Sequence, residues 1–371
     1  MKIVVDENMP LTEALFSQFG EIVPLAGRKM TADDLIDADV LLVRSVTKVN
    51  AELLAKAQQL KFVGTATIGT DHIDKAYLQE KKIPFFSAPG CNKISVGEYV
   101  ISALFVLAER YQFELHNKSI GIIGAGNTGT AVAERARALG MNVLLCDPFK
   151  EKEFLDIDYV SFKEALAADV VSFHVPLSSA GEYPTFHLLN EQVINTLPDN
   201  KILINACRGE VWDNVSLLKR QQTEHPLRLV MDVWENEPNI LEALIPLTEI
   251  ATPHIAGYSL DGKYRGTYML YEAYCNEFSQ ERLLSLESIL PATDLSLLSV
   301  DIPLNETVLK KIIHLIYDVR RDDALFRMKA TIPGGFDQMR KQYQERREWS
   351  SLNVQSEYSM TQLKELGFIT N

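Results

Sequence analysis

Short apolar runs rich in Val, Ile and Phe alternate with amphipathic stretches from Met1 to about Ile255. This alternation is typical of βα units, in which each buried strand is followed by a helix that covers the sheet. Helical patterns occupy the intervals, as at Leu11–Phe19 and Asp71–Glu80. The pattern therefore predicts a parallel sheet in the first part of the chain, with strands at Ile3–Asp6, Val40–Arg44, Phe62–Thr67 and Pro84–Ser87.

A second series of the same kind begins after a long apolar helix that the pattern predicts over Ser95–Tyr111. A further helical run, Ser259–Leu284, follows the series and is expected to carry the chain back to the first domain. Two successive series predict two doubly wound, Rossmann-like domains with a cleft between them, where cofactor and substrate usually bind. The predicted strands of the second series are Ser119–Gly124, Asn142–Asp147, Asp169–Pro176, Lys201–Ala206, Leu227–Val233 and Ile250–Pro253.

The pattern changes from about Glu287. Strand-like segments at Leu295–Ile302 and near Ser351–Gln355 flank a predicted helix at Glu306–Val319 and a basic run at Met339–Arg347. These features indicate a small α+β domain at the C-terminus. The predicted fold class is therefore α/β, with two doubly wound domains and this small additional domain.

Composition and charge narrow the class of protein. The 37 Lys and Arg residues against 50 Asp and Glu residues give a net charge of −13, which would repel a nucleic-acid backbone. The longest apolar stretch, Tyr99–Ala108, is about half the roughly 20 residues that a transmembrane helix needs. The N-terminus has no signal-peptide pattern, and the four cysteines lack any metal-ligand spacing. We expect a cytoplasmic protein with free thiols that binds no nucleic acid, membrane or metal.

A glycine-rich turn follows the first strand of the second series, in the segment SIGIIGAGNTG that ends at Gly129. Gly124 allows a tight turn, Gly126 lets the backbone approach a pyrophosphate, and Gly129 lets the helix pack on the strand. The helix N-terminus, with Asn127 and Thr128, offers free N–H groups to the phosphates. This arrangement predicts a dinucleotide site, although Asn127 and Thr128 are also ordinary turn residues.

Asp147 ends the next predicted strand, 18 residues after Gly129. A carboxylate at this position can accept hydrogen bonds from the ribose hydroxyls of NAD and would repel the extra phosphate of NADP. The alternative role for Asp147 is that of a helix cap before Pro148. The spacing favours NAD as the cofactor.

Three polar segments end later strands, where an open α/β sheet places its site: Asn205–Gly209, Asp232–Pro238 and Thr252–Gly257. Oxidation of a 2-hydroxy acid needs a base near neutral pH, and the imidazole of His254 suits that task. Glu237 could orient this ring, and Arg208 could hold the substrate carboxylate by two parallel hydrogen bonds. Taken singly, each of these residues could equally be a surface ion pair, a loop charge or a turn residue.

Together, the segments GAGNTG, NACRG, DVWENEP and TPHIAG resemble the NAD-dependent D-isomer-specific 2-hydroxyacid dehydrogenases. The resemblance extends from Met1 to about Leu284. It implies that Arg208, Glu237 and His254 form the catalytic trio.

One branch of that family is a closer match, on segments that span nearly the whole chain: Val5–Pro10, Arg44–Asn50, Gly64–His72, Ala88–Asn92, Tyr317–Asp323 and Glu345–Leu352. This branch oxidises a phosphorylated four-carbon hydroxy acid in vitamin B6 synthesis. The resemblance implies substrate contacts at Ser45, Thr67 and Tyr258. It also implies cofactor contacts at Asp147, Val175, Ala206, Cys207, Arg208, Asp232 and Gly257, with Val175 contributing only backbone or packing.

A substrate phosphate requires local positive charge in an acidic protein. Arg44 ends a first-domain strand beside Ser45, and the tail adds Arg346 and Arg347. These arginines could equally pair with neighbouring acids at the surface. The sharper hypothesis is that the tail, with apolar positions such as Val308–Ile316, forms a homodimer interface and delivers one arginine to a substrate site, possibly that of the partner.

The resulting domain prediction assigns residues 1–94 to a flavodoxin-like substrate-binding domain and 95–256 to an NAD-binding Rossmann domain. Residues 257–285 are the return helix, and 286–371 are a C-terminal dimerisation domain. Two alternatives remain open at this point. One is a dehydrogenase for another D-2-hydroxy acid, such as a 3-phosphoglycerate, and the other is an NAD-sensing binding protein on the same fold.

Overall fold

The computed structural model describes residues 1–154 and 156–371. Its strands are short, as is usual for parallel sheets covered by helices on both faces. In chain order they are β1 (Lys2–Asp6), β2 (Glu21–Leu25), β3 (Val40–Val43), β4 (Phe62–Thr65), β5 (Phe85–Ser87), β6 (Ser119–Ile123), β7 (Asn142–Cys146), β8 (Val170–Phe173), β9 (Ile202–Asn205), β10 (Arg228–Met231), β11 (Ile250–Ala251), β12 (Leu297–Ser299), β13 (Asn353–Gln355) and β14 (Ile369–Thr370).

The α-helices occupy most of the intervals between strands. They are α1 (Thr12–Phe16), α2 (Lys75–Glu80), α3 (Lys93–Tyr111), α4 (Asn127–Ala138), α5 (Lys150–Glu153), α6 (Phe162–Ala167), α7 (Glu191–Thr196), α8 (Asn214–Gln221), α9 (Leu260–Glu277), α10 (Leu286–Ile289), α11 (Glu306–Ile316), α12 (Val319–Lys329), α13 (Gly335–Lys341) and α14 (Thr361–Leu366). Short 3₁₀ turns lie at Gly27–Lys29, Ala32–Leu35, Leu115–Asn117, Gly209–Val211, Glu242–Leu247 and Trp349–Ser351. Among these helices of the described chain, none combines the length and apolar character that a bilayer-spanning segment requires.

The first compact unit consists of residues 1–92 and 259–292. Its parallel sheet has the strand order β2-β1-β3-β4-β5, which is the flavodoxin-like order. Helix α9 belongs to this unit, where Leu270 and Tyr274 share a core with Phe16 and Phe62. The chain reverses its winding direction between β1 and β3, and the carboxyl ends of these two strands therefore flank a typical ligand-binding position.

The second unit consists of residues 93–258 and 293–371. Its parallel sheet has the order β11-β10-β9-β8-β6-β7, so β6 lies between β7 and β8. The winding reverses at β6, which is also the strand that runs into the glycine-rich turn. An open α/β sheet binds its ligand at this kind of reversal.

The C-terminal residues 293–371 build a small parallel sheet, in the order β12-β13-β14, together with helices α11 to α14. Ile312 and Ile313 of α11 and Trp349 share a single hydrophobic core with Val100 of α3 and Val132 of α4. The segment is therefore part of the second unit, because its apolar face has no separate core of its own.

The predicted α/β fold with two parallel sheets and a small C-terminal region is confirmed. The pattern missed β2, because Glu21 and Pro24 interrupt the apolar run that would mark an edge strand. The helix predicted over Glu306–Val319 is α11, which ends at Ile316, and a second helix that was not predicted, α12, begins at Val319. Asp318 separates them and caps α12 by accepting a hydrogen bond from the Arg320 N–H.

Candidate active site

The glycine-rich turn connects β6 to α4 in the form that a pyrophosphate requires. Gly124 has φ of +94°, a conformation that side chains disfavour. A Cβ on Gly129 would lie 1.9 Å from the Gly124 carbonyl oxygen, so the close helix–strand packing excludes any larger residue. A Cβ on Gly126 would meet no protein atom within 4 Å. Packing therefore does not require Gly126, and the open space beside its backbone fits the approach of a dinucleotide.

Asp147 follows β7 and contacts this turn directly. Its Oδ2 accepts a hydrogen bond of 2.9 Å from the Ala125 N–H, and its Oδ1 accepts bonds from the Phe149 and Lys150 N–H groups. The carboxylate therefore also caps the start of α5, as the alternative role anticipated. Oδ1 already accepts two bonds, but Oδ2 keeps a second lone-pair site, so acceptance from a ribose hydroxyl stays compatible with these bonds.

Three other predicted cofactor residues, Val175, Asn127 and Thr128, border or belong to the same turn. Val175 packs over Gly124, since a Cβ there would lie 2.9 Å from Val175 Cγ1. Asn127 is exposed and Thr128 is half-buried at the start of α4. The structure thus brings together Gly124, Gly126, Asn127, Thr128, Gly129, Asp147 and Val175.

Arg208 lies in a short turn after β9 that Asn205 shapes. The Asn205 side chain donates to the Arg208 carbonyl at 3.0 Å and accepts from the Cys207 N–H at 3.1 Å. Arg208 is half-buried, and its Nη1 donates to the Cys207 carbonyl at 2.7 Å. Burial raises the pKa of the Cys207 thiol to about 11, so the thiol stays protonated. Ala206 is half-buried beside it, and contacts from this turn to a ligand would use its backbone and Arg208.

His254 and Glu237 form a direct hydrogen-bonded pair. Their Nδ1 and Oε2 atoms lie 2.7 Å apart, and the other carboxylate oxygen accepts a bond of 2.9 Å from the Trp234 N–H. With Nδ1 donating to Glu237, the unprotonated Nε2 of a neutral ring is a proton acceptor. None of the described residues hydrogen-bonds to that Nε2. His254 also has φ of +58°, a strained conformation of the kind that often occurs at functional sites.

Electrostatics keep Glu237 ionised. Burial alone would raise the pKa of this carboxyl, but His254, the Trp234 N–H and the positive charge of Arg340 outweigh burial. The pKa of Glu237 therefore lies below its ordinary value. The pair can hold a proton on the imidazole and orient the ring, which is the arrangement that a general base needs.

Asp232 holds the segment that carries His254. Its side chain accepts hydrogen bonds from Thr252 Oγ1 and from the N–H groups of Ile255 and Ala256, at 2.6–2.9 Å. The residue is 1% exposed, and burial raises the pKa of its carboxyl above the ordinary value despite the nearby His254. The structure thus places the Asp232 side chain beneath the loop, while the cofactor contact predicted for it stays a prediction. Gly257 is half-buried at the end of this loop.

Three predicted substrate residues lie in the first unit. Arg44 and Ser45 follow β3 directly, and Ser45 is exposed in a turn. Thr67 follows β4 and is half-buried, with its hydroxyl bonded to the Thr65 hydroxyl and to the Gly69 carbonyl. The carboxyl ends of the neighbouring strands β3 and β4 therefore bring these residues to one edge of the sheet.

Arg346 does not fit its predicted role as a phosphate ligand. Its guanidinium pairs with Glu98 at 3.0 Å and donates to the carbonyls of Ser95 and Ala256, and the side chain is only 2% exposed. This placement does not support the prediction, because a buried guanidinium already paired with Glu98 is a structural ion-pair partner. Arg347 is half-buried and already has interactions within the chain.

Sequence reasoning missed Arg340 on α13. Its guanidinium hydrogen-bonds to Tyr258, the residue that was predicted to contact substrate, and lies 5.9 Å from the centre of that ring. The basic run Met339–Arg347 was visible in the sequence, but its pattern did not show which arginine faces the site.

A separate cluster brings His187, Asp213 and Glu235 within 4.8 Å of one another. Its groups already bond within the chain. His187 Nε2 lies 2.6 Å from Glu235, whose second oxygen accepts from the Asn214 N–H, and Asp213 caps α8 through Ser216. The cluster therefore forms a hydrogen-bond network that joins three loops.

Comparison with known families identifies two regions. Residues 103–256 match the family described as "D-isomer specific 2-hydroxyacid dehydrogenase, NAD binding domain". Residues 289–367 match a domain of unknown function (DUF3410). The first match contains the glycine-rich turn, Asp147 and the three catalytic candidates.

Comparison with individual proteins extends the similarity to the full chain. The chain is 64% identical over 368 residues, 99% of each protein, to the erythronate-4-phosphate dehydrogenase of Tolumonas auensis. It is 59% identical over 372 residues, again 99% of each, to the protein of that name in Aeromonas salmonicida. A solved D-lactate dehydrogenase from Aquifex aeolicus, complexed with NAD and lactic acid, is 26% identical to this chain, with a TM-score of 0.57. The match covers 78% of this chain and 97% of that protein.

Proposed function

Because the chain belongs to the erythronate-4-phosphate dehydrogenase family, within the D-isomer specific 2-hydroxyacid dehydrogenases, we propose that it oxidises 4-phospho-D-erythronate with NAD. The product is 2-oxo-3-hydroxy-4-phosphobutanoate, an intermediate of vitamin B6 synthesis. The observation that carries this proposal is the His254–Glu237 pair, held 2.7 Å apart at the end of the sheet that bears the dinucleotide turn.

The proposed mechanism assigns one task to each residue of the trio. Arg208 binds the substrate carboxylate and fixes the C2 carbon. His254 takes the proton of the C2 hydroxyl at Nε2, while Glu237 holds the ring through Nδ1 and stabilises the imidazolium. When bound, NAD supplies the hydride acceptor. The open backbone at Gly126 and the Asp147 carboxylate would hold its pyrophosphate and ribose.

The substrate contacts proposed for the remaining atoms are Ser45, Thr67 and Tyr258, with Arg44 for the phosphate. Arg44 is half-buried, and no described residue forms an ion pair or side-chain hydrogen bond with its guanidinium. A guanidinium without such partners is suited to a dianionic ligand, because no existing bond must be broken. This supports Arg44 as the ligand of the substrate phosphate, whereas Arg346 is already paired with Glu98.

We further propose that the protein is a homodimer whose interface includes the C-terminal segment. Leu325 and Met328 on α12, which are 39% and 72% exposed, are three residues apart and lie on one face of the helix, and Ile332 just beyond is 52% exposed. Exposed apolar side chains grouped in this way favour association with a second copy. The charge pair Leu325→Glu with Met328→Glu should shift the chain to monomer in light scattering. The matched control is Val215→Glu on α8, and a dimer that survives the double change would contradict this interface.

We propose the cytoplasm as the location. The four cysteines are free and buried in the structure, which fits a reducing compartment.

The decisive experiment measures NADH formation by the purified protein with 4-phospho-D-erythronate, D-erythronate, D-lactate and D-3-phosphoglycerate. We expect the highest kcat/KM with 4-phospho-D-erythronate and a much lower value with the acid that lacks the phosphate. A higher value with D-3-phosphoglycerate would contradict the proposed substrate. NAD binding without turnover of any of these acids would instead indicate an NAD-sensing protein.

A further inference from the structure

The loop at residues 252–258, here called the catalytic loop, is contacted by three side chains from the C-terminal segment of the same chain. Arg340 hydrogen-bonds to Tyr258. The Tyr343 ring meets the Tyr258 ring edge-on, with centroids 5.7 Å apart. Arg346 donates to the Ala256 carbonyl at 3.2 Å. The segment therefore contacts the loop at two of its last three positions.

Two of these three side chains are anchored inside the fold. The Tyr343 hydroxyl donates to Asp322 at 2.8 Å, and Asp322 also accepts from the Tyr317 hydroxyl. Arg346 is fixed by its buried ion pair with Glu98. Side chains anchored in this way give the loop a rigid support.

Arg340 differs from both because no carboxylate of the described residues forms a salt bridge or hydrogen bond with its half-buried guanidinium. Its Nε atom is buried and has no hydrogen-bond partner among the described residues. Its charge acts on Glu237 and Asp232 as well as on Tyr258. Burial disfavours the charged guanidinium, but these groups outweigh burial, so the pKa of Arg340 lies above its ordinary value. A charged guanidinium that is partly buried with an unpaired N–H donor costs free energy. Its interactions with Glu237, Asp232 and Tyr258 offset this cost, so the charge acts on the groups around the catalytic loop.

We propose that Arg340 is a positioning residue of the dehydrogenase site, which holds Tyr258 by a hydrogen bond and places a fixed positive charge beside the His254–Glu237 pair. This inference rests on the proposed function. It assigns a role in catalysis, within the same chain, to a segment whose family match has no described function.

The positive charge of Arg340 should affect the pH dependence of the reaction. The charged groups that act on the pair are Asp232 beneath the loop and Arg340 from α13. Close by, Tyr258 lies against Arg340, and the Tyr99 hydroxyl contacts Thr252 at 2.8 Å. Oxidation requires an unprotonated imidazole. A neighbouring fixed cation opposes the gain of a second positive charge, so loss of the Arg340 charge should move the acidic limb of the pH–rate profile to higher pH.

The experiment compares Arg340→Met with Arg340→Lys under saturating NAD across pH. For Arg340→Met we expect kcat to fall about tenfold or more and the acidic limb to rise by about half a unit to one unit, with NAD affinity unchanged. Arg340→Lys should restore the position of the limb, since it keeps the charge, while kcat recovers only in part because the hydrogen-bond geometry to Tyr258 differs.

The matched control is Arg320→Met, which removes an arginine of the same segment whose partners are Asp318 and Glu109. It should leave both kcat and the limb as in the unmodified chain, and thermal unfolding verifies that every variant is folded. Tyr258→Phe combined with Arg340→Met should lose no more kcat than the worse single change. An acidic limb that stays in place in a folded, active Arg340→Met variant would overturn the inference. An unmodified chain that turns over none of the acids would instead overturn the proposed function.

Discussion

The two large parallel sheets begin with similar strands, since β1 and β6 are both five residues long and buried beyond their first residue. Their candidate site residues, however, differ in how many bonds they form within the chain. In the second unit the residues fix one another. Glu237 bonds to His254, Asp232 holds the loop that carries His254, and Asn205 shapes the turn that carries Arg208. Most of the orientation of this site is therefore already set by folding, which is the condition that proton transfer requires.

In the first unit the corresponding strand ends carry side chains with few bonds. Ser45 is exposed, and Arg44 forms no side-chain bond with any residue that the structure describes. A residue of this kind loses its conformational freedom only when ligand binds. Under the proposed function, this difference favours a division in which the second unit supplies the chemistry and the first unit supplies recognition. Changes in the two units should therefore affect different kinetic constants.

His254→Ala is expected to have the largest effect. It removes the only proton acceptor of the proposed pair and should lower kcat by about 100- to 10,000-fold. NAD affinity should stay close to that of the unmodified chain, because the dinucleotide turn does not depend on His254. Steady-state kinetics and NAD titration measure the two quantities. The control is His225→Ala, which removes an exposed histidine paired with Asp199 in the same unit. A kcat reduced less than tenfold would exclude His254 as the base.

Arg44→Ala should act on KM. Loss of a charged hydrogen bond to the phosphate costs about 1.5–3 kcal/mol, or about 10- to 100-fold in KM for the phosphorylated acid. Because Arg44 has no side-chain partner in the described chain, thermal stability and NAD affinity should not change. Lys48→Ala, which removes an exposed cation from the same turn, is the control. Equal losses for D-erythronate and its phosphate would show that Arg44 does not recognise the phosphate.

Glu237→Gln tests whether the bonding in the second unit has an electrostatic function. The pKa of Glu237 lies below its ordinary value, so the carboxylate is negative throughout the assay range. The neutral amide no longer favours the protonated imidazole, and the acidic limb of the oxidation profile should move about one unit lower. We expect kcat to fall about tenfold as the ring loses its orientation. Glu235→Gln, two residues away and paired with His187, should leave the limb in place. An unchanged limb in Glu237→Gln would remove Glu237 from the mechanism.

The same contrast explains how much of the molecule could be predicted from sequence. Apolar strands buried on both faces, such as Val40–Val43, are visible as continuous hydrophobic runs. The edge strand β2 and the division between α11 and α12 depend on pairing and capping, which periodicity does not encode. The glycine-rich turn was predictable because steric limits at Gly124 and Gly129 dictate residue type.

The tail of the chain shows where prediction fails. Arg340 and Arg346 lie in one basic run, and nothing in their spacing shows that Arg346 pairs with Glu98, 248 residues earlier in the chain, while Arg340 approaches Tyr258. Long-range partners of this kind are set by tertiary packing. The same packing changes the expectation for truncation after Glu287. Removing α11 would uncover the core around Val100, so we expect such a chain to misfold rather than to give a folded monomer.

Asp147 is intermediate between the mutually bonded site residues of the second unit and the sparsely bonded residues Arg44 and Ser45 of the first unit. Of the replacements considered, that of Asp147 should have the smallest kinetic or binding effect. Its oxygens already accept three backbone N–H bonds, so Asp147→Ala removes a cap as well as a ribose acceptor. Asp147→Asn removes the charge and keeps one acceptor oxygen, so part of the backbone bonding is retained, while the amide nitrogen cannot accept at the other position. We expect Asp147→Asn to weaken NAD binding by about 1 kcal/mol, or about fivefold, and to narrow the preference for NAD over NADP, because repulsion of the extra phosphate is lost. Titration with both cofactors measures this, with the exposed Asp158→Ala as control. Equal affinity of the unmodified chain for NAD and NADP would show that Asp147 does not select the cofactor, and its role would then be the helix cap alone.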